Sequence, residues 1–178
     1  MLGTILLIIA GIFAAIIVAG IFIPSKYAFS KSIRINSERK LVFNMIDDLS
    51  TWEKWSAWSK ENDAKIAITL GEKSSGTGAS MTWKGTKMGK GSMEVENAEP
   101  YKLIEVEAVF NKGVFRMNFT ISFEEMGERD TLVDWKVSGR TRRGGFAKIL
   151  GRMLPKWMGK DIETSLKVLK HYCEGSLA

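Results

Sequence analysis

A long stretch near the end of the chain, Phe146 to Cys173, places the strongest constraint on the fold. Its apolar residues recur every three or four positions, which is the spacing of one continuous helix face. Mostly basic residues fill the opposite face. An amphipathic helix of this kind is not stable alone in water, because its apolar face must cover another surface. The rest of the chain is therefore expected to supply that surface.

Pro155 lies inside this helical pattern. It cannot donate a hydrogen bond to the carbonyl of Gly151, so we expect the helix to kink or split near Leu154. The sequence predicts a first helical segment over residues 146–154 and a second over residues 156–173.

Seven other runs alternate apolar and polar residues. This period of two is typical of antiparallel strands with one buried face, and glycine-bearing links between the runs suit hairpins. We therefore predict an α+β fold, in which a curved seven-stranded antiparallel sheet wraps around the long C-terminal helix. The predicted strands lie within residues 29–35, 66–70, 79–83, 93–95, 104–110, 115–123 and 133–137.

The N-terminal run, residues 2–23, carries no charged side chain. As a helix it would be about 33 Å long at about 1.5 Å per residue, enough to span a bilayer. A cleavable signal peptide is the alternative, but that class has a basic leading segment and a shorter apolar core. We predict an uncleaved single-pass transmembrane helix over residues 1–23 and a folded domain over residues 24–178.

The charge distribution predicts where the domain lies. The net charge of +6 belongs wholly to the part after Pro24, and five basic residues follow the apolar run within residues 26–40. By the positive-inside rule, the domain is expected on the cytoplasmic side of the inner membrane, with the lipid bilayer as a partner. The basic excess is too diffuse to indicate nucleic-acid binding. The single cysteine, Cys173, excludes an intrachain disulfide.

Several segments, taken in order, resemble the START-like superfamily with the helix-grip fold, also described as SRPBCC or polyketide cyclase/dehydrase-like proteins. The resemblance covers about residues 26–172 and is closest to bacterial members with a hydrophobic segment directly before the first strand. It implies a deep hydrophobic cavity between the sheet and the C-terminal helix, and it brings no catalytic signature that maps onto this chain. The segments are FSKSIRINSERKLVFNMIDD, STWEKWSAWSK, GTGASMTWKG, KGSMEVENAEPYKLIEVE and GRMLPKWMGKDIETSLKVLK.

Aromatic and methionine residues are the candidates for contact with a ligand in such a cavity. Three tryptophans at intervals of three in STWEKWSAWSK either close one end of the core or form a pocket wall. Methionine suits an adaptable apolar site. The candidate ligand-binding residues are Trp55, Trp58, Met81, Trp83, Phe119, Trp135, Met153 and Trp157.

Three functions are compatible with this pattern. The first is a membrane-anchored protein that holds a hydrophobic small molecule or lipid in the cavity. The second is a polyketide cyclase/dehydratase-like enzyme that positions a reactive substrate in a dry site. The third is a non-catalytic structural or interaction protein with a filled core.

Other chemistry finds little support in the residue pattern. The one histidine, His171, falls on the charged helix face, so neither a catalytic triad nor a metal site is indicated, and we predict no cofactor. The paired glutamates at 94 and 96 and at 105 and 107 alternate with apolar residues. They are expected on a solvated outer sheet face and not in an acid–base site. The glycine-rich loops lack the spacing of phosphate-binding motifs.

A basic stretch between Arg140 and Lys160 contains no acidic residue. It is compatible with an ordinary solvated helix face, or with contact to anionic lipid headgroups. A third interpretation is that Arg142 or Arg143 binds the anionic head of a ligand at the pocket entrance. The candidates for headgroup contact are Arg140, Arg142, Arg143, Lys148 and Arg152.

Overall fold

A computed structural model of the chain describes residues 3–5, 7–11, 15, 25–113, 115–141 and 145–175. Its centre is one antiparallel sheet of seven strands in the order β1-β7-β6-β5-β4-β3-β2. The strands are β1 Lys26–Ile35, β2 Ala67–Leu70, β3 Ser80–Lys84, β4 Lys90–Glu99, β5 Leu103–Phe110, β6 Phe115–Gly127 and β7 Asp130–Thr141.

The seven predicted strands are confirmed, and the period-two pattern explains which face each strand buries. On β6, Met117, Phe119 and Ile121 are buried, while the alternating Arg116, Asn118 and Ser122 are exposed. The glutamates predicted on the outer face also lie there: Glu94 and Glu96 are exposed, and Glu105 and Glu107 are partly exposed. The sheet therefore has one apolar inner face and one polar outer face.

Within the described part of residues 25–175, three α-helices accompany the sheet: α1 Arg39–Asp47, α2 Trp52–Trp55 and α3 Gly145–Gly175. The first two, with a short 3-10 turn between them, lie between β1 and β2. Helix α3 packs along β1 and contacts β7 and α2. Its buried residues recur at helical spacing and face the sheet, as the sequence predicts: Ile162, Leu166, Leu169 and Cys173.

The predicted division of the C-terminal helix at Pro155 is wrong, because α3 runs without interruption from Gly145 to Gly175 with Pro155 inside it. A proline removes one intrahelical hydrogen bond and crowds the preceding turn. Packing of the long segment after Pro155 against the sheet offsets this local cost. A proline therefore disturbs such a helix without ending it.

The predicted transmembrane helix falls mostly outside the described residues. Within the run, residues 3–5, 7–11 and 15 are helical. Among the residues that the structure describes, we find no helix with the length and apolar character needed to cross a membrane.

Candidate functional site

Aromatic side chains fill much of the space between the inner sheet face and the helices. Trp52 and Trp135 lie 5.6 Å apart between ring centroids, and Phe119 and Trp135 lie 5.7 Å apart. Trp58 lies 5.6 Å from Trp83, so the cluster continues to β3, the strand next to the edge strand β2. These tilted and edge-to-face contacts add to the stability gained from burying the rings. The part of the interior that these rings occupy is therefore closely packed.

The structure brings six of the eight predicted ligand-binding residues together in this core: Trp55, Trp58, Met81, Trp83, Phe119 and Trp135. The remaining two lie elsewhere. Met153 and Trp157 are 41% and 50% exposed on the first half of α3, one helical turn apart. A role for any of the eight in ligand contact stays a prediction.

A close backbone approach makes room for one of these rings. Trp83 on β3 pairs with Gly91 on β4, and a Cβ at Gly91 would lie 2.2 Å from a ring carbon of Trp83. Only glycine leaves space there for the indole to lie across the neighbouring strand. Trp83 in turn contacts Phe110, at 5.1 Å between ring centroids.

A small apolar pocket of about 60 Å³ remains between this cluster and α3. Trp58 and Phe110 contribute aromatic surface, and Met88 and Met158 contribute flexible thioether side chains. The pocket is far smaller than the roughly 300–1,000 Å³ typical of sites for small molecules. Its full lining is Ala57, Trp58, Met88, Phe110, Met158, Asp161, Ile162 and Ser165.

A larger cleft of about 380 Å³ lies beside the pocket, between the α2 region and α3. Its lining includes charged side chains, among them Lys54, Glu61 and Lys160. The cleft and the pocket share three lining residues, Ala57, Asp161 and Ser165. A single molecule can therefore contact both, with a polar part in the cleft and an apolar part in the pocket.

The indole N–H groups of the buried tryptophans differ in their hydrogen bonding. The N–H of Trp52 donates to the Ile46 carbonyl at 2.7 Å, and that of Trp83 donates to the Met88 carbonyl at 3.3 Å. Among the described residues, no acceptor meets the buried N–H of Trp58 or of Trp135. A buried donor without an acceptor costs about 1–3 kcal/mol. The side chain of Trp58 also lines the apolar pocket.

Asp63 fixes the β3–β4 loop that carries Met88 to the pocket. Its buried carboxylate accepts hydrogen bonds from the backbone N–H groups of Lys87 at 2.7 Å and Met88 at 3.0 Å. It also accepts from the Thr86 hydroxyl at 2.9 Å and the Lys65 N–H at 3.2 Å. These bonds, led by that of Met88, lower the pKa of Asp63 to about 2. One wall of the pocket thus depends on a single charged group.

Ser165 and Asp161 connect α3 to the α2 region. The Ser165 hydroxyl accepts a hydrogen bond from the Ala57 N–H at 2.9 Å and donates to the Asp161 carbonyl at 2.8 Å. Asp161 is an exposed residue, and partial desolvation of its carboxyl raises the pKa of that group, while neighbouring Lys160 opposes the rise. Asp161 is one of the three residues that line both the cleft and the pocket.

The predicted headgroup residues are described only in part. Arg140 at the end of β7 and Arg152 on α3 are exposed. Lys148 lies in the first turns of α3, while Arg142 and Arg143 fall outside the described residues. His171 is exposed, and no group of three or more potential metal ligands occurs in the described part of the chain.

Sequence reasoning missed four residues that shape this site: Asp63, Met88, Asp161 and Ser165. Two of them could have been recognised from the sequence pattern. Met88 is an apolar residue in an otherwise small and polar hairpin loop, and Ser165 is a polar residue on the buried face of α3, beside Leu166. Asp63 and Asp161 could not, because their roles depend on contacts with distant segments.

The comparisons with known proteins agree with this fold. Residues 27–174 match the family described as "Polyketide cyclase / dehydrase and lipid transport". Because this match covers most of the sequence, the chain belongs to that family. No curated protein matches the chain in sequence.

Solved structures share the fold at low sequence identity. The Zhui aromatase/cyclase from a Streptomyces species is 10% identical, with a TM-score of 0.68 over 86% of this chain and 96% of that one. A protein from Thermus thermophilus is 17% identical, with a TM-score of 0.64 over 85% and 100% of the two chains. The Aha1 dimer from Colwellia psychrerythraea is 16% identical, with a TM-score of 0.55 over 83% and 96%. At these identities the likeness establishes the fold alone.

Proposed function

We propose that this protein binds a hydrophobic or amphiphilic small molecule, such as a lipid, where the apolar pocket meets the cleft. The observation that carries the proposal is the buried Trp58 N–H, which has no acceptor among the described residues and belongs to a side chain that lines the pocket. A carbonyl or ester oxygen of a ligand would accept this hydrogen bond and remove the cost of leaving the donor unpaired.

The sizes of the two spaces define what the ligand must look like. The pocket of about 60 Å³ accepts only a few carbon atoms, whereas the cleft of about 380 Å³ accepts a polar group of moderate size. Met88 and Met158 border the pocket, and their flexible side chains can rearrange to admit a longer apolar chain. We therefore expect an amphiphile that inserts its apolar end past Ala57.

We also propose that the N-terminal run anchors the domain in the inner membrane, with the domain on the cytoplasmic side. The support is the uncharged run at residues 2–23 and the basic residues that follow it. In this arrangement Arg140, Arg142, Arg143, Lys148 and Arg152 contact anionic headgroups. The exposed Met153 and Trp157 next to Arg152 suit the same interface.

Native mass spectrometry of the full chain tests the ligand proposal. The protein would be released from detergent micelles after incubation with a total lipid extract of the cells that produced it. We expect a discrete added mass that is lost on denaturation. Ala57→Leu, which narrows the junction of pocket and cleft, should abolish that mass.

Ala67→Leu is the matched control, because it adds the same side chain at an exposed position on β2. It should retain the bound mass, including any lipid held by the N-terminal run. Equal binding by both variants would place the ligand outside the pocket. A bare chain mass throughout would favour a structural protein with a filled core.

A second candidate is a cyclase/dehydratase-like enzyme, and Asp161 is the observation that favours it. A carboxyl with a raised pKa at the pocket can exchange protons with a bound substrate. The test is incubation with a β-hydroxy ketone and detection of the product in which the α-proton and the hydroxyl have left as water. Turnover lost in Asp161→Asn would support the enzyme, and absence of turnover in the natural chain would exclude it for this substrate.

A further inference from the structure

The outer face of the sheet carries a basic groove on the side opposite the ligand pocket. Three cations stand directly opposite one another on adjacent strands: Lys26 on β1 pairs with Arg140 on β7, and Arg140 pairs with Arg116 on β6. Like charges placed opposite one another destabilise a sheet. Arg116 has an acidic partner, Glu107, so the uncompensated part of the row is Lys26 and Arg140, and an anion bound there would reduce their repulsion.

The next row of the sheet forms the floor of this groove. Ala28, Ser138 and Asn118 pair across the same three strands, and their short side chains leave a space of about 820 Å³. Neither the Ser138 hydroxyl nor the Asn118 amide has a hydrogen-bond partner in the part of the chain that the structure describes. The hydroxyl and the amide N–H groups can each donate a hydrogen bond to a phosphate oxygen.

The charge balance of the groove favours an anion. Four cations line it, Lys26, Arg116, Lys136 and Arg140, against the single carboxylate of Glu107, which pairs with Arg116 at 3.0 Å. The remaining three cations have no ion-pair partner among the described residues.

Two further carboxylates on the outer face next to the groove already have partners. Glu105 accepts a hydrogen bond from Asn97, and Asp134 accepts one from Ser32. Neither carboxylate forms an ion pair with Lys136 among the described residues.

One residue of the groove, Lys26, lies close in sequence to the proposed membrane anchor, which favours a lipid as the source of the anion. Lys26 follows the uncharged run at residues 2–23 after only Pro24 and Ser25. At no more than about 3.6 Å per residue, its Cα lies within about 11 Å of the end of that run. If the run spans a membrane, the groove lies at the level of the headgroups.

We propose that this groove binds the phosphate of an anionic phospholipid headgroup. The inference deepens the proposed membrane attachment and rests on it. Arg116 and Arg140 would bind phosphate oxygens from one side of the groove and Lys136 from the other, with Ser138 donating from the floor. The site would fix the orientation of the domain on the bilayer and is separate from the ligand pocket on the inner face.

The test uses the full chain in nanodiscs of phosphatidylcholine, with and without phosphatidylglycerol. We expect phosphatidylglycerol to raise the thermal unfolding midpoint, because it binds the folded state and neutralises the row of cations. Arg140→Gln and Ser138→Leu should each lose most of this shift. Ser138→Leu fills the floor without changing any charge, so it separates a formed site from general attraction to a negative surface. Lys102→Gln, on the exposed turn at the opposite end of the sheet, should keep the full shift.

The outcomes separate the two proposals. Failure of the chain to enter nanodiscs would overturn the membrane anchor. Entry without a phosphatidylglycerol shift, or a shift that Ser138→Leu leaves intact, would overturn the groove alone. An equal shift from free inorganic phosphate with phosphatidylcholine nanodiscs would assign the groove to a soluble anion and overturn the headgroup assignment.

Discussion

At the scale of single residues, the site depends on charged and polar groups whose partners lie far away in sequence. Asp63 accepts hydrogen bonds from residues more than twenty positions later, and in doing so it sets the position of Met88. Gly85 must be a glycine for the same reason, since a Cβ there would lie 2.3 Å from an oxygen of this carboxylate. The wall of the pocket therefore responds to the protonation of one acid.

The pH dependence of stability tests the role of Asp63. Its pKa falls from the usual 3.8 to about 2 in the folded chain, so its carboxylate stabilises the fold fully above about pH 4. That contribution is lost as the pH falls toward about 2. Asp63→Asn should lower the free energy of unfolding at neutral pH and show a weaker further loss between pH 4 and pH 2.

The measurement is urea unfolding of the full chain at a series of pH values. Glu163 also has a pKa lowered to about 2, by hydrogen bonds from Lys167 and Lys31, so some acid dependence persists in the variant. Glu61→Gln, on the exposed loop before Asp63, should behave like the natural chain. An Asp63→Asn variant with unchanged stability at neutral pH would contradict this role.

At the scale of elements, the alternation of apolar and polar residues was sufficient to predict all seven strands. The longest helix was harder to predict, because Pro155 suggests a break that the tertiary packing overrides. A prediction from the local sequence considers the intrahelical hydrogen bond that proline removes. It omits the buried contacts of Ile162, Leu166 and Leu169, which hold the rest of α3 on the sheet.

Replacement of Pro155 by alanine tests this account of α3. The alanine N–H restores the hydrogen bond to Gly151 and removes the steric conflict, so the free energy of unfolding should rise by about 1–3 kcal/mol. Pro100→Ala, at the exposed turn between β4 and β5, should change it little. Urea unfolding measures both variants. A destabilised Pro155→Ala variant would mean that α3 needs the proline for its packing.

At the scale of the whole molecule, the sequence predicted the layers more completely than the space between them. The sheet, the long helix and the buried tryptophans follow from periodicity and hydrophobicity. The volume of a pocket does not, because it depends on how Trp58, Trp83 and Phe110 pack against one another and on Gly91. For that reason the implied deep cavity is in this structure a small pocket beside a polar cleft.

The same limit applies to the groove on the outer face. The sequence separates Lys26, Arg116 and Arg140 by long intervals, and the strand order β1-β7-β6 places them in one row. Only the register of the sheet reveals that these cations meet. A stretch rich in basic residues, such as residues 140–160, is visible in a sequence, whereas a row formed across strands is not.

The measurement that tests the central claim most directly is the indole N–H signal of Trp58 in a ¹⁵N–¹H NMR spectrum of the full chain. Each of the six tryptophans gives one such signal, and single Trp→Phe variants assign them. On addition of the lipid extract, we predict that the Trp58 signal shifts as its donor gains an acceptor. The signal of Trp52, whose N–H already donates to Ile46, should move little. A Trp58 signal that stays in place while the exposed Trp157 shifts would show surface contact only and contradict binding at the pocket.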